Sequence, residues 1–183
     1  RNASGALPGL SDTYRLSGNP LPFFTHAAVM LGDSRYRVTP PSFDDLFVIG
    51  IDGIPKAKNF IQYQLPNRGI SYSLPDAGYY IARGGQSELY FDAGPKGDSH
   101  GHYDLFNFEL RDSTLLVVAD PGPFTYGDSR QRRWAISTPA HNTVSIDGLN
   151  HAAIEGANNP AIVVDQFDSS ADSIRITAHH YAY

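Results

Sequence analysis

The sequence predicts an all-β domain, an antiparallel stacked-sheet sandwich, preceded by an irregular, partly helical N-terminal connector. Three observations predict it. From Ile70 onward, short runs of alternating apolar and polar residues are separated by turn residues. The 183 residues include 17 glycines and 13 prolines, which punctuate the chain too often for long helices. A hydrophobic fraction of 41% and an aromatic fraction of 12% supply enough apolar surface for a packed core.

The elements follow in order. Through residues 1–66 the stretches GALPGL, SGNPLPFF and VTPPSFDD interrupt any long period, leaving room for short helices around Phe24 to Met30 and Phe43 to Ile49. This stretch is expected to be a connector or the tail of a larger helical domain. Residues 67–183 are expected to form the sandwich. There ISYSL, PDAG, YYIAR, GGQ and SELYFDAG read as strands and hairpin turns. Further strands are expected in YDLFNFEL (103–110), TLLVVAD (114–120), NTVSIDG (142–148), AIVVDQF (161–167) and SIRITAHHY (173–181). The last runs to the C-terminus without a turn or cap, so the sandwich is expected to be truncated there. No internal repeat, heptad pattern or low-complexity tract appears in the sequence.

Charge and composition narrow the partners. A net charge of −5 and a pI near 5.7 argue against a nucleic-acid binder, which would show a basic face. The absence of cysteine removes disulfides and thiolate metal sites, so a metal would rest on histidine and carboxylate. No apolar run is long enough to span a bilayer. The opening RNASGALPGL lacks the basic and apolar regions of a secretory signal, so the expectation is either a cytosolic chain or a targeting segment outside this sequence.

Three places carry candidate chemistry. In GDSHGHYD, His100 and His102 stand two apart; on a strand they would share a face, as a site or as a solvated pair. Asp120 closes the apolar run LLVVAD, where a carboxylate either caps the following turn or serves as a ligand or base. His141 lies in a turn, STPAHN, where a loop histidine commonly bonds to backbone. Taken together, His102, Asp120 and His141 offer two imidazoles and a carboxylate at strand ends, a set that zinc accepts. The SRQRRW stretch adds a dense basic cluster with Arg130, Arg132, Arg133 and Trp134. It suits an anionic polymer, with guanidinium on carboxylate or sulfate and indole on a sugar face, or it is a solvated loop with Trp134 in the core.

The run GHYDLFNFELRDSTLLVVADPGPFTYGDSRQRRWAISTPAHNTVSIDG, with the preceding GDSH, resembles the C-terminal β-sheet region of the heparinase II/III family of polysaccharide lyases, which includes alginate and oligoalginate lyases. The resemblance rests on H-G-H-x-D before an apolar strand, then D-P-G-x-x-x-Y-G, then R-x-x-x-S-x-x-H-N-T-V-x-x-D-G. It implies stacked antiparallel sheets joined to an N-terminal helical α/α toroid of the same parent protein. It also implies cleavage of an anionic, uronate-containing polysaccharide by β-elimination, in the periplasm or outside the cell. His100 matches the family's active-site histidine of the sheet domain. His102, Asp120 and His141 match the residues that bind a structural zinc. Most of the proton-transfer and carboxylate-neutralising groups of such lyases belong to the toroid, so this stretch alone is expected to be incomplete.

Tyr126, in PFTYGDS, is a substrate-facing candidate with the arginines and Trp134. Arg83 and Lys96 are expected to add to a positive cleft. Asp44, Asp45, Asp165 and Asp168 read as surface or turn carboxylates, and His179 and His180 as sheet or solvent residues. Asn2 lies in an N-A-S sequon. Two other readings stay open: a non-catalytic carbohydrate-binding module, and a metal-dependent sandwich or cupin-like enzyme that uses His102, Asp120 and His141 catalytically.

Overall fold

The computed structural model describes residue 10 and residues 21–33, 43–60, 70–97, 100–113, 115–152, 161–170 and 172–183. Asn2 and its sequon lie outside them, as do Asp98 and Ser99. The chain divides into two compact units. The first holds helices α1 (Leu21–Leu31) and α2 (Leu46–Phe60), longer than the sequence suggests. They pack through the fully buried Ala28 and Ala57, joined by Val29 and Ile49. Gly50 breaks α2 with a φ of 67°, a conformation that glycine adopts without the penalty of a Cβ. Asp45 is buried and accepts from His26 Nε2 at 2.5 Å, so it is not a surface carboxylate, whereas Asp44 is exposed.

The second unit takes in Leu10 and runs from Gly69 to Tyr183. Strands β1 (Tyr72–Leu74), β2 (Tyr79–Gly84), β3 (Ser87–Asp92), β4 (Asn107–Asp112) and β5 (Leu115–Val118) form one antiparallel meander in that order. Strands β6 (Ile162–Ser169) and β7 (Ile174–His180) pair as a separate antiparallel hairpin. The hairpin packs on β2, with the Tyr80 ring 5.3 Å from Phe167, which gives the expected all-β architecture of stacked antiparallel sheets. Among the described residues, no helix is long and apolar enough to cross a membrane.

The register decides which side chains turn inward. Leu89 pairs with Leu110 and Tyr90 with Glu109, so Glu88, Tyr90 and Asp92 share a face with Asn107, Glu109 and Arg111. All six are buried. The apolar Leu89, Phe91, Phe108 and Leu110 occupy the opposite, half-buried face. The more deeply buried face is therefore largely polar, although Ile81 and Tyr90 gather with Leu10 in a small apolar cluster there. Buried polar groups must be satisfied by one another. That requirement places Asp92, Asn107, Glu109 and Asp120 in one neighbourhood.

Two expected strands differ from the structure. The run 103–110 becomes a strand at Asn107, because Phe106 takes a φ of 62° that ends any extended segment. Residues 142–148 form bends and a turn, not a strand. Asp147 and Gly148 have φ of 52° and 71°, and Leu149 N bonds back to Ile146 O at 2.9 Å. Asn142 takes the place of a strand partner, with its side-chain amide donating to Phe108 O at 3.0 Å and Ala119 O at 2.9 Å.

Candidate functional site

The site begins at the HGH turn. His100 and His102 lie in a loop before β4, not on a strand, so alternation does not place them on a common face. His102 is completely buried and His100 is exposed. Gly101 makes this turn possible: a Cβ there would sit 1.5 Å from the Lys96 carbonyl oxygen, a distance that excludes any side chain. The loop is fixed by Tyr103 N donating to Ile136 O at 3.0 Å and by Asn107 N donating to Asp104 O at 2.9 Å.

Asp120, just past β5, collects three donors. Its Oδ2 accepts from Asn107 Nδ2 at 2.6 Å and from His141 Nδ1 at 2.6 Å, and its Oδ1 accepts from Gly122 N at 2.7 Å. Asn107 Oδ1 in turn accepts from Asn142 N at 3.1 Å, which ties the loop after His141 to β4. His141 itself follows a single 3-10 turn, Thr138–Ala140, with its N–H on Thr138 O. The carboxylate that holds Nδ1 thereby fixes the ring and frees Nε2 to face inward.

The ring centroids of His102 and His141 lie 5.1 Å apart. Ligand atoms of His102, Asp104 and His141 all lie within 4.8 Å of one another, and all three residues are buried. Asp120 stands one hydrogen bond from this cluster, through His141. Asp104 Oδ2 and His141 Nε2 are buried without a hydrogen-bond partner, an arrangement costly unless something fills it. Charge points the same way. Burial pushes the Asp104 carboxyl above its ordinary range, with partial relief from His141 and His102. Asp92 is pushed up to about 8, first by burial and then by Asp104 and Asp120. Tyr79, facing Asp92 and Asp104, is pushed up to about 12. Three buried aspartate carboxyls thus surround two imidazoles, and nitrogen and oxygen donors suit a divalent cation, whose charge would favour the ionised carboxylates that burial disfavours. This cluster could hold a metal.

The rim has a different character. The His100 ring meets the Tyr126 ring edge-on at 6.3 Å, and the Arg132 guanidinium lies 5.4 Å over the Tyr126 ring. Arg132 Nη1 also donates to Pro123 O at 3.3 Å and lies 3.3 Å from His102 Nε2. The RQRR run forms a short helix, α3 (Arg130–Ala135), capped by Ser129, whose side chain accepts from Arg132 N. The helix sorts its cations: Arg132 is half-buried, whereas Arg130, Arg133 and Trp134 are exposed, so Trp134 is not a core residue. Arg133 pairs with Asp128.

Other candidates fall elsewhere. Arg83 does not open onto a cleft; it is paired with Glu88 at 3.3 Å, its side chain largely buried, and lies over the Tyr72 ring. Lys96 lies 5.0 Å over the Tyr103 ring, beside the HGH turn. Asp165 pairs with His179 at 2.9 Å on the surface, and Asp168 accepts from Gln166. His180 is a half-buried strand residue whose ring meets Phe106 at 5.0 Å and His151 at 4.8 Å. Sequence reasoning passed over Asp104 and His151. The signal for Asp104 was the fifth position of H-G-H-x-D; for His151 there was none beyond its type.

Residues 67–183 match the family described as Heparinase II/III-like, C-terminal. Three solved structures share the fold. A heparan sulfate lyase HepC from Pedobacter heparinus is 17% identical with a TM-score of 0.69, covering 97% of this chain and 26% of its own. A structure described as heparinase III is 20% identical with a TM-score of 0.70, covering 100% of this chain and 28% of its own. A further heparinase III gene product is 18% identical with a TM-score of 0.68, at 97% and 26% coverage. The chain thus spans about a quarter of the length of these enzymes. No curated protein matches it.

Proposed function

Because the chain belongs to the heparinase II/III-like C-terminal family, we propose that it is the sheet domain of a lyase that cleaves a uronate-containing polysaccharide by β-elimination. The observation that carries this reading is the split at the HGH turn: His100 is exposed beside Tyr126, while His102 is buried in a potential metal cluster two residues away. One histidine faces solvent where a sugar can reach it; its neighbour anchors the loop.

The chemistry has a definite balance. Neutralising the uronate carboxylate acidifies the proton at C5, and a base removes it. The electron pair left at C5 forms the C4–C5 double bond, the bond from C4 to the glycosidic oxygen breaks, and that oxygen departs with a proton. No water is consumed. His100 is the group this domain brings to the reacting sugar. Exposed Arg130 and Arg133 suit carboxylate or sulfate recognition, and exposed Trp134 and Tyr126 offer faces for sugar stacking, with Arg132 behind Tyr126. The remaining groups come from a helical toroid of the same parent. A polymeric anionic substrate places that parent in the periplasm or outside the cell.

Zinc fits the cluster. The family resemblance implies His102, Asp120 and His141 as the ligands; of these, His102 and His141 gather with the Asp104 carboxylate, while Asp120 accepts from His141 Nδ1 and so orients that ring. When bound, the ion would supply charge to balance the aspartates and a cross-link between the 100–106, 119–122 and 138–142 loops. The exposure of His102, Asp104 and His141 is 0%, 6% and 7%, which leaves no open face for a substrate and supports a structural role over a catalytic one.

The test uses the parent protein with uronate polysaccharides, following ultraviolet absorbance of the unsaturated product. His100→Ala should lower the rate by about two orders of magnitude or more, as loss of a proton-transfer group does. An unchanged rate removes His100 from the chemistry. Sugar binding with no absorbing product from the wild-type parent supports the carbohydrate-binding reading instead.

A further inference from the structure

The loop that carries Tyr126 has a tightly turned backbone. Phe124 takes a φ of 56° and Gly127 one of 96°, and Thr125 N donates to Pro123 O at 2.6 Å, closing a three-residue turn. Tyr126 emerges from it 52% exposed. A ring so exposed is oriented by what lies against it more than by burial. The Arg132 guanidinium lies 5.4 Å over that ring, and its Nη1 donates to Pro123 O at 3.3 Å. One side chain thus touches both the base of the turn and the ring it presents.

Arg132 is the member of α3 suited to this task. Its backbone N–H donates to the Ser129 cap at 3.1 Å, and its side chain is half-buried where those of Arg130 and Arg133 are exposed. Arg133 pairs with Asp128. A planar guanidinium stacks on a ring face while donating in its own plane, which a lysine ammonium does not do. The Tyr126 ring in turn meets the His100 ring at 6.3 Å and 79°. Arg132 also lies 3.3 Å from His102 Nε2, so it reaches both histidines of the HGH turn, His102 directly and His100 through Tyr126.

We infer that Arg132 is a positioning residue: through Tyr126 it sets the orientation of His100 toward the sugar. The inference rests on the lyase role of His100 proposed above. Guanidinium, phenol ring and imidazole form a strut, anchored on α3 and at Pro123 and ending at the group that meets the substrate. Misplacing a reacting group by about 1 Å costs up to about a hundredfold in rate. A strut therefore acts on kcat, whereas an arginine that binds the sugar uniformly acts on KM.

Kinetics of the parent protein on a uronate polysaccharide test the strut. Arg132→Gln should lower kcat about ten- to a hundredfold and leave KM within about twofold. Tyr126→Ala should lower kcat by a similar factor, and Tyr126→Phe should recover most of that loss. The double variant Arg132→Gln/Tyr126→Ala should lose no more than the larger single loss, because both changes break one contact. A raised KM with unchanged kcat, or losses that multiply, overturns the inference. Elemental analysis separates an effect on the buried cluster: Arg132→Gln should keep the wild-type metal content, and a drop overturns the strut. Nuclear Overhauser contacts between the Tyr126 and His100 rings of the full chain give a readout apart from activity. They should vanish in Arg132→Gln, and their persistence overturns the inference. Should Arg132→Gln fail to fold, Tyr126→Ala decides, since an unchanged kcat there is equally fatal. Failure of the lyase reading looks different, because His100→Ala itself would then leave the rate unchanged.

Discussion

Replacing Asp120 by Asn in the chelator-treated chain tests how the site holds itself together. The carboxylate takes three donors on two oxygens, from Asn107, His141 and Gly122. An asparagine offers one oxygen and turns an NH2 group toward donors, so at least one buried hydrogen bond is lost and one donor is left unmet. A hydrogen bond to a charged acceptor contributes about 1.5–3 kcal/mol, and an orphaned buried donor costs about 1–3 kcal/mol. Because the two figures overlap, the expected loss is about 2–4 kcal/mol, or roughly 4–16 °C in Tm for a chain of this size. Trp134 is the single tryptophan and sits on α3, so its fluorescence during urea unfolding follows the sheet unit. A loss below about 0.5 kcal/mol, the size of an ordinary surface substitution, would refute the claim that Asp120 organises the site.

Removing the metal cluster's carboxylate by Asp104→Asn should lower bound zinc, measured by elemental analysis, from about one equivalent toward none, and chelation should lower the wild-type Tm. Gly101→Ala should destabilise the sheet unit by about 1–3 kcal/mol, because its Cβ would collide with the Lys96 carbonyl; urea midpoints check it. Asp92, pushed up to about 8, is favoured in its protonated form by folding, so the stability it contributes is present below about pH 4 and fades as pH rises through 8. Asp92→Asn should therefore raise the Tm of the metal-free chain by a few degrees near pH 8, with the gain shrinking near pH 5. Arg132→Gln should shift the Tyr126 and His100 ring resonances, whereas Arg133→Gln, at an exposed position, should leave them unmoved.

The hairpins β1 to β3 and β6 to β7 were legible because alternation and turn residues agreed there. The strand expected at 142–148 failed for a reason alternation cannot see. Asp147 and Gly148 turn the chain, and the Asn142 side chain supplies the amide that a strand backbone would have offered. The inward face of β3 and β4 reads as polar in sequence, so a rule that buries apolar residues assigns it to solvent. Asp120 and His141 do meet, and both lie by the HGH turn. Asp104 escaped notice because an acid two residues after a histidine resembles a turn residue until the Phe106 bend brings it inward. Asp45 and Arg83 escaped because burial of a charge depends on a partner distant in sequence, His26 for one and Glu88 across a hairpin for the other.

The bonds that close the site also set an order of assembly. The meander pairs each strand with the next, and the β1–β2, β2–β3 and β4–β5 connections are short enough to form early. The bonds around the site span much longer stretches: Asn142 reaches Phe108 across 34 positions, Thr143 reaches Leu105 across 38, and Tyr183 reaches Val144 across 39. Such contacts pay their loop-closure entropy late, after the sheet exists. Weakening Asn142 or Tyr183 should then leave the folding rate nearly unchanged and speed unfolding, so the lifetime of the native site is governed by residues far from His100.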